Sequence, residues 1–295
     1  MRELPKIDAH HHLWNLDENP YPWLQGPDKR RSYGDLTPIC RNYLVEDYLA
    51  DSSPHHVVKS VHVQANWAAD DPVAESAWLQ RVSDEHGFPH AIVGYADLTS
   101  DDLVQILEAH RAFPGFRGIR HAIGHTDDPH CRRPSISEHP NWARGYAALA
   151  RFELSFDLQT YPPQMASALK IAARHDRVPF AICHMGFPHD QSRDGRALWR
   201  RGLRKAAELP LAHIKLSGPC MVKPDWTVEG FADFVHECID TFGPQRCMFA
   251  SNVPPDLLAR SFDGIYEAFY EWASRYSEDE RREMFHDCAA RFYRI

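Results

Sequence analysis

The stretch KIDAHHHLW at positions 6–14 reads as a β-strand that ends in histidines. Residues two apart on a strand point to the same side, so this stretch predicts Asp8, His10 and His12 on one face and Ile7 and Ala9 on the other. Two imidazoles side by side at a strand end suit a metal site or acid–base chemistry near neutral pH. The chain holds 19 His, so the pair acquires meaning only from the rest of the chain.

Downstream, 57–65 (VVKSVHVQA) alternates, with Ser60, His62 and Gln64 opposite Val61, Val63 and Ala65, and reads as a second strand. Pro72 opens a helix that Gly87 stops, and 91–98 reads as a third strand. A helix over 103–113 and a fourth strand over 116–123 come next. The alternation persists through strands at 154–160, 178–184, 211–217 and 246–252, and an amphipathic helix over 278–293 closes the chain. Strand–helix alternation implies a parallel sheet, and eight repeats predict an α/β fold built as a single (β/α)8 TIM barrel spanning 1–295. Active sites in such barrels lie at the C-terminal strand ends. The polar residues expected there are His10, His12, Gln64, Arg120, His121, Gln159, His184, Lys215, Ser217 and Asn252. Arg120 and His121 are neighbours on a strand, so only one of them is expected to face inward. Trp14, Trp23 and Tyr161 read as packing residues with a capacity to stack on a ring. The irregular, Pro- and Trp-rich stretch 13–37 and the loop 125–139 are expected to set specificity.

With 43% hydrophobic and 25% charged residues, the composition is that of a folded globular protein. The net charge is −8 and the basic runs are short, so nucleic acid is not an expected partner. No apolar run reaches the roughly 20 residues of a membrane span, and the start of the chain has no apolar signal core, which predicts a cytoplasmic protein. Seven scattered Cys without a Cys-x-x-Cys pair read as reduced structural thiols. The expected ligand is a small acidic molecule, and self-association into a homo-oligomer is left open.

DAHHH (8–12), GIRH (118–121), HMG (184–186), KLSG (215–218) and FASNVP (249–254) succeed one another in an order that resembles the amidohydrolase superfamily. More narrowly, they resemble its sugar-lactonase and 2-pyrone-4,6-dicarboxylate hydrolase branch, the metal-dependent TIM-barrel hydrolases of the amidohydrolase 2 type. The resemblance covers the whole chain. It implies that His10, His12 and His184 converge on a metal or on a substrate carbonyl, with Gln64, Arg120, His121, Gln159 and Lys215 as substrate-binding candidates. Relatives usually carry an Asp on the eighth strand to activate water, whereas this chain has Asn252, which is neutral and cannot serve as a carboxylate base. A subset of relatives has an Asp four residues further on, which corresponds to Asp256.

The implied activity is opening of a lactone or related cyclic ester of a sugar acid or an aromatic-breakdown acid. In one route, one divalent ion, zinc or manganese, sits on His10, His12 and His184 with Asn252 orienting its water. In a metal-free route, the histidines and an Arg polarise the carbonyl while Asp256 takes the proton. Three alternatives remain open: an oxygenase with iron, with His62, His121, His125 and His189 as extra ligands; a decarboxylase; and a degenerate subunit supporting an active partner.

Overall fold

The computed structural model describes residues 1–68, 70–123 and 136–295. Positions 125–135 of the loop expected to set specificity, including His125, lie outside the described residues. Among the described residues the main sheet has eight parallel strands: β1 Lys6–His11, β2 Val57–Val63, β3 Ala91–Gly94, β4 Phe116–Ile119, β5 Ser155–Leu158, β6 Phe180–Ile182, β7 Ala212–Leu216 and β8 Cys247–Phe249. They pair in sequence order. Beyond β8, the Asn252 N–H donates to the His10 carbonyl and the His12 N–H donates to the Val253 carbonyl, each at 2.8 Å. These bonds bring the exit of the last strand onto the first and complete a (β/α)8 barrel.

A helix comes after each strand: α1 Val45–Ser52, α2 Ala74–His86, α3 Leu103–Arg111, α4 Trp142–Leu149, α5 Pro162–Ala172, α6 Arg193–Ala207, α7 Val228–Phe242 and α8 Phe262–Ala273. Their starts obey local chemistry. Ser192, Thr227 and Ser261 each accept, through the side-chain oxygen, a backbone N–H in the first turn of α6, α7 and α8. Gly87, at φ 76°, ends α2 in the left-handed conformation that glycine adopts without steric cost. The stretch 13–37 is more ordered than its composition suggests, with a short helix at Pro22–Gln25 and a small antiparallel ribbon of Arg30–Arg31 with Gly34–Asp35. The closing helix is likewise not continuous, because a π-helical turn at Glu283–Asp287 separates Glu278–Arg282 from Cys288–Tyr293.

The core has two layers. A large cluster fills the space between strands and helices. A smaller one fills the barrel: Ile7, Ala9, Val61, Val63, Ala91, Val93, Ala181, Met248 and Ala250, with Cys288, Ala289, Phe292 and Tyr293 of the C-terminal segment packed into it. Small side chains fit there because an eight-stranded barrel leaves little room beyond its own inward residues. The lower barrel thus encloses Ile7 and Ala9, the side opposite to the one the histidines were expected to share.

A β-bulge resolves the conflict. Asp8 pairs with Ser60 and His11 with His62, so three steps on β1 run against two on β2. The extra residue breaks the alternation between Ala9 and His10. Asp8, expected beside His10 and His12, instead faces the helix layer, where its carboxylate accepts from the Ser251 N–H (2.8 Å), the Ser251 hydroxyl (2.6 Å) and the Tyr48 hydroxyl (3.1 Å). His11 also turns outward, stacking on Tyr48 at 4.0 Å with Nε2 2.9 Å from the Ser60 hydroxyl.

Burial pushes the Asp8 carboxyl up to about 6, while the bonds from Ser251, His10 and Tyr48 oppose that rise. Asp8→Asn would set an amide N–H₂ against donors that need an acceptor. A loss of about 1–3 kcal/mol in stability is expected, measured by urea unfolding; an unchanged midpoint would show that the seam does not depend on this carboxylate.

Candidate active site at the mouth of the barrel

Past the bulge, the mouth gathers the three histidines expected from the sequence. The His10 ring centroid lies 5.0 Å from that of His12 and 4.8 Å from that of His184. His12 reaches inward from just after β1, with Nδ1 2.6 Å from the Val63 carbonyl. A carbonyl can only accept, so Nδ1 carries the proton and Nε2 the lone pair. His184 lies beyond β6 rather than inside a strand extending to 184, and its φ of 52° places it in the left-handed region, followed by Met185 at 54°. Such conformations cost energy in non-glycine residues and persist where surrounding structure enforces them. Here the Ser217 hydroxyl, beyond β7, lies 2.9 Å from His184 Nδ1.

Burial lowers the pKa of all three imidazoles well below the usual range; the Arg120 charge lowers each further, and Lys215 adds to this at His10 and His184. They are therefore neutral lone-pair donors near pH 7. His10 sits between the two cations, with Nδ1 3.3 Å from Lys215 Nζ and Nε2 3.4 Å from Arg120 Nη1. A neutral ring has one lone pair on its nitrogens, so the cations compete for it. Lys215 is fully buried inside the barrel and ion-paired with Asp157, whose other oxygen accepts from the Tyr293 hydroxyl at 2.9 Å. Ligating atoms of His10, Asp157 and Cys183 lie within 4.8 Å of one another. Sequence reading missed Asp157, Cys183 and Tyr293 as members of this network. The alternation in β5 places Asp157 opposite Phe156 and Leu158, but nothing local couples it to Lys215 or to the chain end.

The remaining candidates fall in different places. Arg120 and His121 lie just past β4, which ends at Ile119, so strand alternation does not separate them and both reach the mouth. Arg120 donates to the Gln64 carbonyl and approaches His10. His121 and Gln64 line a cavity of about 450 Å³ together with Trp23, Asn66, Trp67 and Tyr95. Gln159 lies past β5 half-buried, its carbonyl accepting from the Ile123 N–H at 3.1 Å. Trp14 is fully buried and edge-on to Trp23 at 5.6 Å, a packing contact. Tyr161, Phe187 and His189 pack as a group of rings, and His62 Nε2 lies 3.3 Å from the Leu13 carbonyl. The described cysteines are free thiols.

Asn252, at φ 53°, stands where β8 meets β1. Its Nδ2 donates to Asp256 Oδ2 at 2.5 Å and contacts Met221 Sδ at 3.2 Å, which leaves Oδ1 buried with no hydrogen-bond partner among the described residues. Asp256 Oδ1 accepts from the Cys220 N–H at 3.1 Å. Burial pushes the Asp256 carboxyl up to about 7, against those two hydrogen bonds.

A family model described as amidohydrolase matches residues 7–295, and the chain belongs to that family of enzymes. Over 298 residues and the full length of both chains it is 41% identical to the uncharacterized protein y4mH of Sinorhizobium fredii. It is 30% identical to an L-fucono-1,5-lactonase of Burkholderia multivorans, covering 98% of this chain and 96% of that one. An amidohydrolase from Burkholderia multivorans, whose crystal structure holds zinc, matches with a TM-score of 0.81 at 27% identity over 99% of both chains. The residue types at the mouth suit such an ion: three neutral imidazoles stand near one another, and two have one nitrogen tied to a protein oxygen, as metal-binding histidines usually do.

Gly218, at φ 66°, seats the His184 ring, since a Cβ there would lie 2.6 Å from Nδ1 and 2.8 Å from Cγ. Gly218→Ala is expected to cost about 1–3 kcal/mol and to displace His184 from Ser217. Chemical unfolding measures the first effect, and loss of bound metal the second.

Proposed function

We propose that this chain hydrolyses a lactone, with a sugar-acid lactone as the substrate class. The observation that carries the reading is the convergence of His10, His12 and His184, held neutral, with the Arg120 guanidinium at the barrel mouth. The lactonase name of a relative 30% identical over nearly the whole chain supports it. Arg120 polarises the lactone carbonyl and stabilises the oxyanion that forms when water adds, in a site where burial strengthens the interaction. The lone pairs of His12 and His184 accept from substrate hydroxyls or hold a divalent ion. Such an ion, bound by His10, His12 and His184, would supply Lewis acidity and a more acidic water.

Asn252 and Asp256 divide the work of the usual eighth-strand carboxylate. The buried Asn252 Oδ1 accepts a hydrogen bond from the attacking water and fixes its orientation. Asp256, titrating near neutral pH, takes the proton. The cavity suits a hydroxylated ring: the faces of Trp23, Trp67 and Tyr95 take its C–H groups, while Gln64, Asn66 and His121 provide polar contacts.

Acid release from a panel of aldono-1,4- and 1,5-lactones and pyrone dicarboxylates tests the reading. Turnover of sugar lactones is expected; turnover of none, with iron in the purified protein, would overturn it in favour of oxygen chemistry. His12→Ala is expected to lose bound metal, as read by elemental analysis.

Asp256→Asn is expected to lower the rate at least about tenfold, measured on the best lactone of the panel. The same variant has a stability signature. Burial raises this carboxyl from 3.8 to about 7, so the fold binds the proton more tightly than the unfolded chain does. The contribution is complete below the unfolded value and is lost as pH rises through about 7. Wild type should therefore lose more stability than Asp256→Asn between about pH 5 and about pH 8.5. Parallel unfolding curves at both pH values would remove Asp256 from this role.

A further inference from the structure

Below the mouth, on the Nδ1 side of His10, the barrel holds a ring nitrogen from His10, a carboxylate oxygen from Asp157 and the sulfur of Cys183 within 4.8 Å of one another, all buried. A nitrogen, oxygen and sulfur set of this spacing suits zinc or another thiophilic divalent ion. The same small volume already contains a cation. Lys215 Nζ is ion-paired with Asp157 Oδ2 and lies 3.3 Å from His10 Nδ1. Its ammonium has three donors and no acceptor, so carboxylate and ring lone pair are the partners it needs. The Tyr293 ring lies 5.3 Å from Nζ, and its hydroxyl holds the second Asp157 oxygen at 2.9 Å.

We propose that His10, Asp157 and Cys183 form a buried three-donor metal site whose resident cation is the Lys215 ammonium. The lysine neutralises Asp157, occupies the space between the donors and repels a divalent ion. Without that ammonium, the triad takes up a thiophilic ion. On uptake the Cys183 S–H bond is replaced by a sulfur–metal bond and the proton passes to solvent, while Asp157 exchanges its ion pair for a metal bond. No oxidant or reductant takes part. His10 is shared with the site at the mouth, but the inference does not rest on the lactonase reading, because its test reads the Cys183 sulfur and not turnover.

Cadmium titration tests it, because thiolate–cadmium bonds absorb in the near ultraviolet whereas an ion on the mouth histidines has only nitrogen donors. Wild type is expected to show no sulfur band that depends on Cys183. Lys215→Ala is expected to develop the band, because its ion draws on the Cys183 sulfur. Adding Cys183→Ala to that background should remove it. A Cys183-dependent band in wild type, or a variant that is folded by circular dichroism yet shows no band, overturns the proposal. If Lys215→Ala does not fold, Lys215→Ser, which keeps a hydroxyl for Asp157, is read the same way.

Discussion

Closure of the barrel runs through the Asp8 carboxylate, which accepts from both the backbone and the side chain of Ser251 and ties them to Tyr48 on α1. Beyond that anchor on each segment, the Asn252 N–H bonds the His10 carbonyl, and the His12 N–H then bonds the Val253 carbonyl. The first and last strands are thus locked in one register, and that register places Asn252 beside the histidines. The β1 bulge lies on the opposite edge of the strand, against β2. It lets Asp8 serve the helix layer while His10 and His12 turn into the mouth, which a regular strand could not do.

Electrostatics at the mouth are set by burial. Neutral imidazoles result from desolvation first and from the neighbouring cations second. Arg120 is kept at the mouth by the Gln64 carbonyl, and Lys215 is kept in the interior by Asp157, with Tyr293 anchoring the carboxylate from the chain end. One cation is thus held beside the histidines at the mouth, while the other is neutralised below. The C-terminal segment is part of this arrangement, because it packs into the apolar interior and brings the Tyr293 hydroxyl under the site.

Asn252 and Asp256 form a buried pair beside the histidines. The Asn252 amide donates to Asp256, whose carboxyl burial brings to about 7. Both are buried, and the Asp256 carboxyl therefore does not titrate like a surface carboxylate.

The alternating strands and helices, the eightfold count and the polar strand ends were legible in the sequence, because each depends on local periodicity and capping. The apolar and polar faces of β1 and β2 were also separable, but which face lines the barrel was not. Ile7, Ala9, Val61 and Val63 are inside because an eight-stranded barrel excludes bulk, and His10 is inside because a bulge shifts it by one residue. Periodicity carries no sign of such a shift. Asp157 meets Lys215 across 58 residues and Tyr293 across 136, and only barrel closure makes them neighbours. The sequence by itself determined the architecture and the histidines at its mouth. Tertiary structure decided their protonation, their orientation and the charges around them, because burial and long-range pairing exist only once the chain has folded.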